Sequence, residues 1–539
     1  MSGQTVVVDG ESLSPEDVEA VARHGAPVAI ADDAREAVRA SRERVEDVLD
    51  SDEAVYGVNT GFGSLVDTRI DADDLEALQT NLLRSHAAGA GDELGEEAVR
   101  ALLLTRLNAL AKGYSGIRER VLDLLADMLN GSVHPVVPSR GSLGASGDLA
   151  PLAHLSLVLI GEGAARVSPR DTDRASGEPQ ADGDRLPGDE ALAAGGLEPV
   201  TLRAKEGLAL INGTQLTSGL AALALVDAER VLRAADAAGA LTTEVTMSTT
   251  ANCDPAIHEV RPHDGQAASA RNVKRLTADS EVVESHRNCD RVQDAYSIRC
   301  LPQVHGAVRD ALAHLRDAVE TELNSATDNP LVFDGDRVNS RASGTERAAV
   351  VSGGNFHGEP LALRLDYAAS ALAELAAVSE RRIDRLLNPE TQETHLVPFL
   401  SPESGLHSGL MIPQYTAASL VNDLRSLGQP AVDNTPVSGN QEDHVSMSGG
   451  SAYNIREAAE KAATVVGVEL LCAAQAREFV DDGLALGTGT AAVYDLVREV
   501  SDPVTVDRSL SGEMETLADL IREGMVDESV ERALGESLE

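Results

Sequence analysis

The chain has 539 residues, with 88 acidic against 45 basic side chains and a formal net charge of −43. That length can bury a large core and exceeds a usual single domain. The charge argues against a nucleic acid or an anionic membrane surface as partner. The acids are spread along the chain, which reads as a solvated surface suited to high salt (a halophilic setting), with a plain acidic cytosolic surface as the alternative.

Residues 1–20 carry neither a basic start nor an apolar run, so no signal peptide is expected. No run of about 18 uncharged apolar residues follows, so no membrane span is expected and the location is read as cytoplasmic. Short strand signals occur at Thr5-Val6-Val7-Val8 and Val55-Tyr56-Gly57-Val58. Residues 166–198, rich in Pro, Gly, Asp and Ser, read as a surface loop. Segments near 214–238, 358–380, 412–428 and 452–480 are Ala/Leu-rich and nearly free of Pro and Gly, which predicts long helices. Val308, Leu312, Leu315, Val319 and Leu323 recur at helical spacing with charges between them. The stretch from Asp502 to Glu539 is acidic, amphipathic and helical in pattern. The expected fold class is therefore mainly α, a core of long packed helices. Residues 1–115 read as a smaller mixed domain and 116–539 as the helical bundle. Cys253, Cys289, Cys300 and Cys472 show no CxxC spacing and are read as reduced thiols. No metal site is expected.

One tripeptide, Ala145-Ser146-Gly147, can close on itself. Gly147 has no Cβ, so its amide nitrogen can approach the Ala145 carbonyl carbon at little steric cost. Loss of two waters leaves a five-membered ring with an exocyclic methylidene, an electrophile that no ordinary side chain provides. The bland alternative is a turn before a helix, with Ser146 or Asp148 as N-cap. A serine nucleophile elbow fails, because Asp148 stands where Gly-x-Ser-x-Gly needs glycine.

The block Gly141–Leu155 resembles the signature of the aromatic amino acid ammonia-lyases, and within them the histidine-specific branch. Further matches follow in the same order: Tyr56-Gly57-Val58-Asn59-Thr60-Gly61-Phe62-Gly63, Ser85-His86-Ala87-Ala88-Gly89, Leu210–Gln215, Val292–Cys300, Ser352–His357 and Asn440–Met447. Four of the few aromatics in a chain with five Phe, seven Tyr and no Trp fall inside these blocks: Tyr56, Phe62, Tyr296 and Phe356.

The resemblance implies a long-helix fold of the fumarase/aspartase-like type and a 4-methylidene-imidazol-5-one (MIO) formed from Ala145, Ser146 and Gly147, with no external cofactor. It implies removal of ammonia from L-histidine to give trans-urocanate, the first step of histidine degradation, in a homotetramer whose active sites each draw on three chains. Tyr56 then matches the catalytic base, and Arg299 the residue that grips the substrate carboxylate, a task suited to a planar guanidinium fork. Asn212, Gln293 and Tyr296 match polar residues around the electrophile and the substrate. Phe356 matches an aromatic near the ring.

His86 and Glu442 separate substrates within the family. Relatives acting on phenylalanine or tyrosine carry leucine at the position of His86, and those acting on phenylalanine tend to carry glutamine at that of Glu442. A hydrogen-bonding imidazole and a carboxylate favour an imidazole substrate over a phenyl ring. A phenylalanine or tyrosine ammonia-lyase, or a 2,3-aminomutase, is the alternative. Ala295 stands where the family usually has proline and Leu301 where glutamine is common, both beside Tyr296 and Arg299.

Overall fold

The computed structural model describes residues 4–51, 53–60, 70, 74–167, 183–287, 291–338, 342–432 and 434–539. Two compact units divide the chain, each gathered from three separated segments. The first comprises Met1–Leu223, Arg316–Leu365 and Gln429–Tyr453; the second comprises Ala224–Leu315, Asp366–Gly428 and Asn454–Glu539.

The first unit mixes helices with small sheets. Val6–Val8 pairs in parallel with Val28–Ile30, Val6 lying opposite Val28. Helix Pro15–Ala22 starts on a capping box, in which Ser14 Oγ accepts from the Asp17 amide and the Asp17 carboxylate accepts from the Ser14 amide. Helix Glu96–Ala111 is buried on all sides from Ala98 onward and packs on Pro15–Ala22 and Glu119–Asn130. Such a helix needs partners for its polar side chains as well as apolar neighbours. Arg100 finds them in the carbonyls of Val21 and Leu129. Leu331–Asp334, Ala348–Val351 and Ser343–Gly344 form an antiparallel sheet with Ala348–Val351 in the middle. Its Val332 and Val350 join Val45, Val48, Val55 and Val58 in one apolar cluster.

The second unit is helical, and the expected segments are there. Helices Gln215–Val245, Glu359–Leu387 and Ser448–Arg477 each run for about thirty residues and contribute most of their length to it. Met411–Ser426 is the helix expected near 412–428. The stripe from Val308 to Leu323 lies on helix Leu301–Leu323, and each of its five residues is buried. Two shorter helices, Ser511–Arg522 and Met525–Leu534, account for the amphipathic end of the chain. The unit also holds a fully buried ion pair, Arg382 Nε to Glu469 Oε1 at 2.5 Å. Thr242 and Ser379 donate their hydroxyls to the same carboxylate. A pair so buried is costly to break from one side, about 3–5 kcal/mol, because the other charge is stranded.

Two expectations are corrected. Val55-Tyr56-Gly57-Val58 is a turn rather than a strand. Gly57 sits at φ +74, and Asn59 closes the turn by accepting from the Val55 amide at 2.7 Å and donating to the Glu53 carbonyl at 2.9 Å. The region 166–198 is not simply a loop. Ala164–Val167 pairs antiparallel with both Val133–Pro135 and Asp184–Pro187, and helix Gly188–Ala194 follows; residues 168–182 lie outside the described residues. Phe62 and Cys289 also lie outside the described residues. Cys253 and Cys472 are buried free thiols and Cys300 is a half-buried one; burial pushes the Cys253 thiol up to about 12.

Candidate active site

Ala145-Ser146-Gly147 precedes helix Leu149–Leu159 on a backbone held from several sides. Gly147 adopts φ +74 and forms an isolated parallel bridge with Gly213. A Cβ at Gly147 would come within 2.1 Å of the Gly213 carbonyl oxygen, so only glycine fits. The next amide, Asp148 N, donates to that same oxygen at 2.7 Å. Asn212 Nδ2 donates to the Ser146 carbonyl at 2.8 Å. The tripeptide is thus pinned at its serine carbonyl and its glycine backbone, an arrangement fit for a ring built from those atoms.

Asp148 does not cap the helix it precedes. Its buried carboxylate accepts from Ser142 Oγ at 2.5 Å, from the Thr217 amide at 2.8 Å and from Thr217 Oγ1 at 3.1 Å. Burial raises its pKa, while these hydrogen bonds pull the other way. Thr217 continues to Ser448 Oγ at 3.0 Å, and Ser446 Oγ donates to the Gly144 carbonyl at 3.0 Å. A band of hydroxyls therefore backs the tripeptide, and the capped-turn alternative is not what the residues form.

A cavity of about 730 Å³ opens in front of it. Tyr56, His86, Ala145, Ser146, Asn212, Phe356 and Glu442 all line it, residues as far apart as 56 and 442 in the chain. Burial, then the charges of Glu442 and Asp328, raise the Tyr56 phenol above its ordinary value. His86 is the last residue of helix Leu75–His86, and its Nδ1 lies 2.9 Å from the Leu82 carbonyl. A proton on Nδ1 would donate to that carbonyl, whereas Ser85 Oγ, 3.0 Å away, can donate to the same nitrogen when it is bare. Glu442 Oε2 is buried and has no hydrogen-bond partner among the described residues. An acceptor left open beside a cavity is ready for a ligand's donor.

Gln293, Tyr296 and Arg299 do not line this cavity; they cluster in the second unit. Tyr296–Arg299 is one helical turn, Arg299 Nη1 donates to Gln293 Oε1 at 2.5 Å, and the guanidinium carbon lies 5.9 Å from the Tyr296 ring centroid. Tyr296 is 73% exposed. Ala295, where proline was expected, has φ −57 and ψ 146, angles that a proline would also adopt. The substitution therefore leaves the entry to this turn intact, and Leu301 is buried in the next helix.

The sequence reading passed over two cavity residues in its own motif blocks. His357 and His444 stack with ring centroids 5.8 Å apart and planes 5° from parallel. The role of Asp148 was also missed. A serine-rich run at 446–451 was its only sequence trace.

A model of the aromatic amino acid lyase family matches residues 13–499. The sequence is 76% identical over 534 residues, 99% of each chain, to a probable histidine ammonia-lyase of Halobacterium salinarum. It is 49% identical to histidine ammonia-lyase of Sorangium cellulosum, over 98% of this chain and 99% of that one. Histidine ammonia-lyase from Trypanosoma cruzi shares the fold with a TM-score of 0.87 at 39% identity, covering 98% of this chain and 96% of the other. Tyrosine aminomutase from Streptomyces globisporus shares it with a TM-score of 0.89 at 36% identity, covering 99% and 100%.

Proposed function

The chain belongs to the aromatic amino acid lyase family, and from that premise we propose that it is an ammonia-lyase for L-histidine, releasing ammonia and trans-urocanate. The observation that carries the choice of substrate is the pair of polar groups in the cavity, the His86 imidazole and Glu442, whose Oε2 has no hydrogen-bond partner among the described residues. An imidazole N–H can donate to either. A phenyl or phenol ring would leave at least one of them desolvated and unpaired, at about 1–3 kcal/mol each. The curated relatives named above carry the same assignment.

Enzymes of this family generally depend on an MIO ring, which we assign here to Ala145, Ser146 and Gly147; the ring supplies an electrophile for the substrate amine. Asn212, donating to the Ser146 oxygen, holds negative charge that gathers there. Tyr56 removes the β-proton. A phenol made less acidic by burial and by Glu442 needs a cation to do this. None of the described residues that line the cavity is a lysine or arginine.

We therefore assign that cation, and the grip on the substrate carboxylate, to Arg299 of another chain, with Gln293 and Tyr296 beside it. Phe356 packs against the substrate side of the ring. The assembly this requires is a homotetramer with shared sites. The reaction needs only dissolved amino acid, in keeping with a cytoplasmic enzyme that uses neither membrane nor nucleic acid.

Incubation with L-histidine while following urocanate absorbance tests the reading. Product is expected from L-histidine well ahead of L-tyrosine and L-phenylalanine. Turnover of either aromatic alone, or formation of a β-amino acid, would replace it with the ammonia-lyase or aminomutase alternative.

A further inference from the structure

Helix Glu206–Ile211 ends directly before Asn212, and its last carbonyls have no amide partners within the helix. Arg106, which is fully buried on helix Glu96–Ala111, fills that end. Its Nη1 donates to the Asn212 carbonyl at 2.9 Å and to Gln215 Oε1 at 2.6 Å, and its Nη2 donates to the Ala209 carbonyl. Gln215 is held in turn, its Nε2 donating to Thr327 Oγ1 at 2.7 Å. The guanidinium is packed so closely that a Cβ on Gly213 would lie 2.9 Å from Nη1. Asn212 and Gly213 are the two residues that reach the tripeptide, through the Ser146 carbonyl, the Gly147 bridge and the Asp148 amide.

We infer that Arg106 is a positioning residue for the electrophile: it fixes the Asn212–Gly213 segment from behind and sets a buried positive charge behind the Asn212 amide that binds the Ser146 oxygen. The inference deepens the proposed function and rests on it.

The charge is the unusual part. Among the described residues every acceptor of Arg106 is neutral, its Nε has no partner, and no carboxylate is hydrogen-bonded to it. The nearby Lys205 is already paired with Asp328 Oδ2 at 2.5 Å. Burial lowers Arg106 to about 10, so it stays protonated at neutral pH. Asp328 acts on it through space only, and a cation taken out of water without a hydrogen-bonded counter-ion is costly to bury. Capping carbonyls alone does not need that charge, whereas negative charge arriving on the Ser146 oxygen would be stabilised by it through the Asn212 dipole.

The test uses the full chain with Arg106→Lys, Arg106→Gln and Gln215→Leu. Intact mass reports ring closure as the loss of two waters, and the rate at which the folded protein gains the mass of hydrogen cyanide reports the electrophile without any amino acid substrate. Turnover and melting temperature are measured beside them.

A purely structural Arg106 lowers the melting temperature but leaves cyanide addition and kcat per ring-bearing chain untouched. The inference expects the Arg106 variants to keep the uncyclised mass, or to carry the ring with cyanide addition and kcat each down at least tenfold while KM moves less than threefold. Gln215→Leu keeps the charge but loosens it, and is expected to show the same split at about a third of that size. Ring-bearing variants within threefold of wild type in both rates overturn it. Should neither Arg106 variant fold, Gln215→Leu decides: unchanged rates overturn the inference. Wild type that adds cyanide but ignores histidine would instead refute the substrate assignment and leave the Arg106 test standing.

Discussion

The cavity around Ala145-Ser146-Gly147 and the cluster around Arg299 are built in opposite ways. The first is pinned by buried hydrogen bonds: Asn212 on Ser146, Gly213 on Gly147 and Asp148, and Thr217 and Ser142 on Asp148. The second is one helical turn whose backbone carbonyls accept from Asn252 and Arg382, while its own side chains share the single Arg299–Gln293 hydrogen bond and Tyr296 is open to solvent. Preorganised dipoles suit the place where charge develops in the transition state. An exposed guanidinium suits the role across chains proposed for Arg299. The contrast teaches that the groups around the tripeptide are fixed by partners from distant parts of the chain, while those around Arg299 are presented on an exposed turn.

The largest effect expected from breaking this comparison is at Ser146. Ser146→Ala cannot form the methylidene, so the chain is expected to keep its two waters by intact mass and to lose activity entirely. Full activity in a chain of unreduced mass would remove the ring from the account.

Almost as large is the expected loss in Arg299→Gln, and here the two regions can be set against each other. Ser146→Ala chains and Arg299→Gln chains are each expected to be inactive alone. Co-expressed, they are expected to regain part of the wild-type rate, because hybrid assemblies join an intact electrophile to an intact Arg299. If the co-expressed pair stays as inactive as either parent, Arg299 does not serve a neighbouring site.

Tyr56 links the regions through pH. Its folded-state pKa is raised by burial and by Glu442, so the neutral phenol is favoured and the base form appears only as pH climbs. Activity is expected to rise toward alkaline pH, and the partially active Arg299→Lys, with a displaced charge, is expected to show that rise at higher pH than wild type. By linkage the same shift stabilises the fold below the phenol's ordinary pKa, and this stabilisation fades as pH passes upward through the raised value. Tyr56→Phe is expected to lower kcat by about 10²–10⁴-fold with little change in KM, measured by steady-state kinetics. An identical pH profile in Arg299→Lys would separate the guanidinium from the phenol.

A smaller loss is expected at the substrate end. His86→Leu removes a ring nitrogen that can hydrogen-bond an imidazole, worth about 1–3 kcal/mol, or roughly 5- to 150-fold in kcat/KM for histidine. An unaltered ratio of histidine to phenylalanine turnover would take specificity away from His86. The smallest effect concerns the whole surface. With a net charge of −43, melting temperature is expected to rise with salt as self-repulsion is screened, and calorimetry across a salt series would read it.

Much of this was legible in residue order alone. The cyclisable tripeptide is local covalent chemistry, and the long helices announce themselves through composition and through the stripe from Val308 to Leu323. Those properties depend on neighbours a few positions away, so sequence carries them directly. Val55–Val58 misled because its alternation of apolar residues was stronger than the signal of Gly57 and Asn59, whose turn is closed by a side chain.

What tertiary structure decided was the partnership of buried polar groups. Asn212 meets Ser146 across 66 positions, and Thr217 meets Ser448 across 231. Asp148 has the sequence setting of an N-cap, yet its carboxylate turns to Ser142 and Thr217. The motif blocks named Tyr56, Asn212 and Arg299 alike, but only packing shows that the first two share a cavity that the third does not line. The physical reason is that a buried donor or acceptor must be satisfied wherever the fold brings a partner, and that choice is made by helices returning from distant parts of the chain.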